Sequence, residues 1–246
     1  MSDSVHITRI PCCPCTAGYW YNSLKKSDLS CAKYLFFCYL CTMPIKIKLQ
    51  SSDTELFCRS KWWGDPDLPA DMDYPTAPAE EDDETFDYPL TFLCQIDCED
   101  IGPLDAEGLL PHQGMFYVFA GIDEYLGYDS PWHNGIGLWD RKQVVVKYTK
   151  AINMETFRSA ILVDDEDQPL TSPALKMTFE ACQADEKGTC LLGNTTQPDR
   201  VPFLQLASGT AGLQFPGKTM LNLFWSAADH AKGNWKRIQA VLGGLA

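Results

Sequence analysis

Apolar and polar side chains alternate most cleanly at Ile45-Lys46-Ile47-Lys48-Leu49, where every second residue is aliphatic. Successive side chains of a strand point to opposite faces, so this period predicts a strand. Residues 90–96 and 115–120 are short apolar runs with aromatics, bounded by turn residues, and read as two more. Residues 143–149 alternate with β-branched side chains and predict another. Three segments read as helices. Asn153 can cap one over 154–162. Ser172-Pro173 opens a second that reaches about residue 182, since Pro suits the first helical position. A third runs over 229–242, with Trp235, Ile238 and Leu242 on one face. Residues 64–89 hold Pro and acids, including five consecutive acids at 80–84, and read as a solvated connector. Residues 184–200 are polar, carry Gly193-Asn194, and read as a loop.

One pattern occurs twice. Pro89-Leu90-Thr91-Phe92-Leu93-Cys94-Gln95-Ile96-Asp97 is followed by the aromatic run Met115-Phe116-Tyr117-Val118-Phe119. Later, Val201-Pro202-Phe203-Leu204-Gln205-Leu206 is followed by Met220-Leu221-Asn222-Leu223-Phe224-Trp225. Each is an apolar strand with an internal Gln, a loop, a Gly turn and a second strand. A two-stranded unit cannot bury a face alone, so two such units are expected to pack together. The expected fold is mainly β (α+β), with related halves at about 55–150 and 151–246 and flanking helices.

These residues resemble the YwqG family, bacterial proteins of uncharacterised function. The resemblance rests on Ser60-Lys61-Trp62-Trp63-Gly64-Asp65-Pro66-Asp67-Leu68-Pro69, the Gln95-Ile96-Asp97 strand end, Leu110-Pro111 and the strand at 115–119. Leu192-Gly193 and Phe203-Leu204-Gln205-Leu206 extend it, and together the motifs cover about residues 55–245. It implies a mainly β architecture with flanking helices and brings no activity. Trp63 stands where that family often has a small residue, and the linker at 70–88 is longer and more acidic than its pattern.

Composition changes the picture through where the charge lies. The 246 residues hold 33 acids and 20 bases, a net charge of −13. Between Trp62 and Asp140 there are 19 acids and no Lys or Arg. Such a surface repels phosphate backbones, which argues against nucleic acid, and attracts a basic protein. Residues 34–43 are the most apolar run, about half the roughly 20 residues a membrane helix needs. Neither a membrane span nor a signal peptide is expected, and a cytoplasmic location is.

Eleven Cys, several among apolar neighbours, suggest free thiols in a reducing compartment. Residues 1–42 hold six of them and two acids, and read as a Cys-rich extension, with Met43 as an alternative start. There Cys12 and Cys15 pair with Cys38 and Cys41 as two C-x-x-C units, the donor set of a tetrahedral zinc. The apolar Cys38-Tyr39-Leu40-Cys41 run, which lacks a Gly knuckle, argues for packing instead.

No nucleophile elbow, phosphate-binding Gly loop or catalytic triad order is legible, so no enzyme is indicated. The candidate binding residues are Trp62, Trp63, Asp65, Gln95, Asp97 and Gln205. Adjacent Trp in a strand face opposite ways, so one of Trp62 and Trp63 is expected in the core and the other exposed as a binding hot spot. A second reading is a small-ligand pocket or enzyme site between the halves, lined by Trp62, Gln95, Gln205 and Trp225. No cofactor other than zinc is suggested, and the oligomeric state is left open.

Overall fold

Fifteen short strands among the described residues carry the fold, and the reason is the period of two that recurs along the chain. The computed structural model describes residues 43–81, 84–164, 166–183, 188–193, 197 and 199–243. In chain order the first strands are β1 (Ile45–Ser51), β2 (Lys61–Trp62), β3 (Asp67–Pro69), β4 (Thr76–Glu81), β5 (Glu84–Pro89) and β6 (Thr91–Asp97). Next come β7 (Met115–Ala120), β8 (Gly137–Leu138), β9 (Val144–Thr149), β10 (Phe157–Ser159) and β11 (Leu175–Ala181). The last are β12 (Cys190–Leu191), β13 (Arg200–Ala207), β14 (Met220–Ser226) and β15 (Gln239–Leu242). Two single-turn helices, α1 (Cys98–Ile101) and α2 (Ala227–His230), join them. The protein is mainly β.

Eleven of these strands form one antiparallel sheet in the order β8-β15-β14-β13-β12-β1-β11-β2-β6-β7-β9. Its centre is the pair β1–β11, in register from Ile45↔Ala181 to Ser51↔Leu175. The small pairs β3–β10 and β4–β5 stand beside it. β7 is buried along its whole length. Phe116, Val118 and Ala120 enter one apolar cluster, and Met115, Tyr117 and Phe119 enter the other. Each large side chain so covered contributes about 1.5–3 kcal/mol of transfer free energy.

Matching bonds recur on the two sides of the central pair. β2 meets β6 through Lys61↔Gln95 and Trp62↔Cys94, and β12 meets β13 through Cys190↔Gln205 and Leu191↔Leu204. The register shifts between Phe92 and Cys94 in β6, and between Pro202 and Leu204 in β13. Trp63 N donates to Leu93 O, and Leu192 N donates to Phe203 O, each at 2.9 Å. Trp63 and Leu192 both hold a left-handed φ, 59° and 52°, and each precedes a Gly. Ser60 Oγ accepts from Asp97 N at 2.9 Å, and Thr189 Oγ1 accepts from Ala207 N at 3.1 Å.

Five sequence expectations are corrected. Residues 184–200 are not a loop throughout, because buried Cys190 and Leu191 form strand β12 between β1 and β13. Residues 173–182 form strand β11 and not a helix. Leu175, Met177 and Phe179 alternate there with Lys176, Thr178 and Glu180, and that period outweighs the Pro start signal. Residues 229–242 divide: α2 ends before Gly233, at φ 64°, a 3-10 turn covers 235–237, and β15 follows with Ala240 and Leu242 buried. Residues 154–162 hold a turn and β10, which pairs with β3 from Phe157↔Pro69 to Ser159↔Asp67. The acidic connector carries β3 and the hairpin β4–β5, because Ala77 and Ala79 on one strand and Phe86 and Tyr88 on the other turn to one apolar cluster, an alternation that its charge obscured. The Cys-rich residues 1–42 lie outside the described residues. No helix among those described is long and apolar enough to cross a membrane.

Candidate functional site

The chain leaves β2 at Trp62 and turns at once, because Trp63 and Gly64 both hold positive φ, 59° and 72°. A Cβ on Gly64 would lie 2.8 Å from the Ala174 Cβ, so close approach as well as φ requires Gly. The turn defeats the expected alternation of the two Trp. Trp62 is fully buried, Trp63 is 7% exposed, and their rings meet edge to face at 5.7 Å. Trp63 Nε1 donates to Ala211 O at 3.2 Å. One edge of Trp63 remains open to a cleft.

That cleft encloses about 400 Å³. Its walls are aromatic: Trp63, Tyr74, Tyr88, Phe92 and Tyr128. Tyr74 is fixed by its hydroxyl, which donates to Leu90 O at 2.8 Å, and by an edge contact with Phe119 at 5.1 Å. Tyr88 meets Trp132 edge-on at 5.4 Å, and Trp132 Nε1 donates to Pro78 O at 3.0 Å, which anchors the β4–β5 hairpin. Tyr128 stands at the rim, 65% exposed, and Leu170 across from it is 61% exposed. Two carboxylates complete the lining, half-buried Asp123 and exposed Asp129. Asp123 begins a 3-10 turn just after β7, and Thr91 Oγ1 donates to its Oδ1. Burial raises the Asp123 carboxyl above its ordinary value, against the lowering effect of Thr91. Burial, then Asp123 and Asp129, raises the Tyr88 hydroxyl.

Of the residues singled out in the sequence, Trp63 alone borders this cleft. Asp65 lies on the other side of the strip in which Gly64 N donates to Ser172 O, 2.9 Å, and it accepts from Thr171 Oγ1 at 3.0 Å. Gln95 is fully buried. Its Nε2 donates to Arg59 O at 2.9 Å and to Asp67 Oδ2 at 2.7 Å, and its Oε1 accepts from Asp67 N at 2.9 Å. Asp97 caps α1, accepting from Glu99 N at 3.0 Å, and burial raises its carboxyl. Gln205 is half-buried, and its Nε2 donates to Gly188 O at 2.9 Å. Trp225 is fully buried and donates to Trp235 O at 3.0 Å. Trp62, Gln95 and Trp225 are therefore closed to solvent.

Sequence reading missed Tyr74, Tyr88, Asp123 and Tyr128. They come from a segment read as a featureless connector and from the turn after β7, and the signal for the first two was the aromatic alternation within 74–88. Cys12, Cys15, Cys38 and Cys41 lie outside the described residues. Among the described residues, no group of three or more His, Cys, Asp or Glu is placed to hold a metal ion. Cys58, Cys94 and Cys98 are buried thiols, and burial pushes Cys58 up to about 11 and Cys98 up to about 12, so neither is a ready nucleophile.

Fold and site together define a mainly antiparallel β protein with an aromatic cleft edged by carboxylates. Residues 60–197, more than half of the chain, match the family model for a domain of unknown function, DUF1963, and the chain belongs to that family. No curated protein is significantly similar to the chain.

Proposed function

We propose that this chain is a non-enzymatic binding protein, YwqG-like and cytoplasmic, built from two related halves, which takes a basic side chain of a partner protein into the Trp63–Tyr88–Tyr128 cleft. One observation carries the reading: aromatic faces and two carboxylates line the same 400 Å³ space. A Lys or Arg head over an aromatic ring gains about 0.5–2 kcal/mol, and a carboxylate beside it adds a charge-assisted bond. The residues between Trp62 and Asp140, without a single Lys or Arg, would steer such a partner by their field. An immunity-like role against a basic toxin is one concrete form, supported by the acidity alone. The matching bonds about β2 and β12 support the two related halves.

Fluorescence anisotropy with labelled Lys- and Arg-containing peptides tests the reading. Binding is expected to weaken steeply as salt rises from low to physiological concentration. Asp129→Asn and Tyr128→Ala, both at the exposed rim, are each expected to weaken it about three- to tenfold. Salt-insensitive binding, or peptides held equally well by both variants, would overturn the reading.

A further inference from the structure

A second cavity, of about 420 Å³, lies behind the Gly64–Ser172 strip and is lined by Lys61, Asp65 and Asp67 together with hydroxyls. Its floor holds a buried ion pair: Lys61 Nζ stands 2.7 Å from Asp67 Oδ2, with side chains 7% and 0% exposed. Taking two charges out of water is costly, and a pair of apolar residues is often at least as stable. The other side of the sheet shows that the architecture does not need the pair. Cys190 occupies the place opposite Gln205 that Lys61 occupies opposite Gln95. The same Gln-to-carbonyl bond forms there, Gln205 to Gly188 and Gln95 to Arg59, each at 2.9 Å. Lys61 is thus a charge that this strand arrangement does without at the matching position.

The Asp67 carboxylate is fully engaged. Oδ2 accepts from Cys58 N, Lys61 Nζ and Gln95 Nε2, and Oδ1 accepts from Ser159 Oγ. Lys61 is not. Its ammonium carries three N–H donors, and among the described residues it has the one acceptor. Buried Lys61 also lines a cavity that presents Ser52, Thr54, Thr171 and Ser172, with Asp65 and Glu55 as acceptors, so that space is where its other two N–H groups can bond. A group that both accepts from the ammonium and donates to the carboxylates would satisfy this lining. A simple anion would meet Asp65, Asp67 and Glu55 as like charges. Half-buried Phe57 adds an apolar wall.

We infer that this cavity is a binding site for a neutral polyhydroxylated ligand, a sugar unit or similar polyol, held by Lys61 at its floor and Asp65 at its wall. The site is separate from the aromatic cleft, and neither reading depends on the other.

Calorimetric titration of the full chain with a panel of neutral monosaccharides and disaccharides, inorganic phosphate and amino acids is the test. A neutral sugar is expected to bind, and neither phosphate nor amino acids. Lys61→Met combined with Asp67→Asn, which leaves no lone buried charge, is expected to weaken that sugar about tenfold or more. Asp65→Asn, at a half-buried position, is expected to weaken it as well without loss of folding. Far-UV circular dichroism checks that both variants are folded, and peptide binding at the aromatic cleft should be unchanged in both. Binding of phosphate or amino acids in preference to sugars, no sugar bound by the wild-type chain, or equal sugar affinity in the folded variants would each overturn the inference.

Discussion

Four donors converge on the Asp67 carboxylate, and Tyr117 Oη donates to the backbone oxygen of the same residue at 2.7 Å. Asp67→Ala strands Lys61 as a lone buried charge and leaves Gln95 Nε2 and Cys58 N short of an acceptor. It should cost about 3–5 kcal/mol in urea unfolding, whereas Lys61→Met combined with Asp67→Asn should cost distinctly less. His230 supplies a pH dependence. Leu109 O, 2.6 Å from His230 Nε2, can only accept, so Nε2 carries a proton, and burial lowers the imidazole below its ordinary 6.5. Above 6.5 the ring is neutral in folded and unfolded chains alike, and it has no effect. Below 6.5 the unfolded chain takes up the proton first, so stability falls until the lower folded value is passed. The melting temperature should therefore drop on acidification from pH 7, and less so in His230→Gln. Asp97 and Asp123 are shifted upward and lose stability in the opposite direction, as pH rises from 3.8, so the difference between wild type and variant isolates His230. The raised Asp123 also predicts that cationic peptides leave the cleft as acid protonates it, which the same anisotropy assay can follow. At this scale Trp63 is legible as a candidate, because an adjacent Trp pair before a Gly turn is unusual, and it borders the cleft. Tyr74, Tyr88 and Asp123 were not, since nothing local says that three separate turns converge on one space.

Strands were legible wherever both partners were apolar, and obscured wherever a local signal competed with tertiary pairing. Residues 45–49, 90–96, 115–120 and 143–149 were read as strands and lie at β1, β6, β7 and β9. β11 was hidden behind Ser172-Pro173, and β15 behind a helical spacing of Trp235, Ile238 and Leu242 that in fact spans a turn and a strand. Cross-strand neighbours supply what the sequence window cannot show: Met177 packs because β1 and β2 flank it. One turn is fixed by sterics alone. Gly114 holds φ 86°, and a Cβ there would sit 2.1 Å from Thr149 O, on the partner strand of β7. Gly114→Ala should thus destabilise by about 3 kcal/mol or more, through both backbone strain and the clash. Chemical denaturation measures it, and a change under about 1 kcal/mol would show that the β7–β9 ladder yields at its end.

Across the whole molecule, stability should be graded by distance from the central pair. β1 and β11 are hydrogen-bonded on both sides within an eleven-stranded sheet, and β4–β5 is a two-stranded hairpin with exposed acids along it. Native-state hydrogen exchange should find the slowest amides in β1, β11, β6 and β7, and faster ones in β4–β5. Equal protection throughout would mean that the hairpin is locked by Trp132 as firmly as the sheet is by its ladders.

The central position of β1 also sets the order in which the chain becomes able to fold. Ile45, Ile47 and Leu49 leave the ribosome before most of the described residues, yet their partners β11 and β12 begin at Leu175 and Cys190. The meander of β6, β7 and β9 has its mates close by and can form during synthesis. β1 has none until most of the protein has been made. For that interval the nascent chain carries an unmated aliphatic strand, a hazard of the kind that chaperones cover. The seam that joins the two sides of the sheet can thereby close only after β11 and β12 have been made, long after the meander of β6, β7 and β9 is complete.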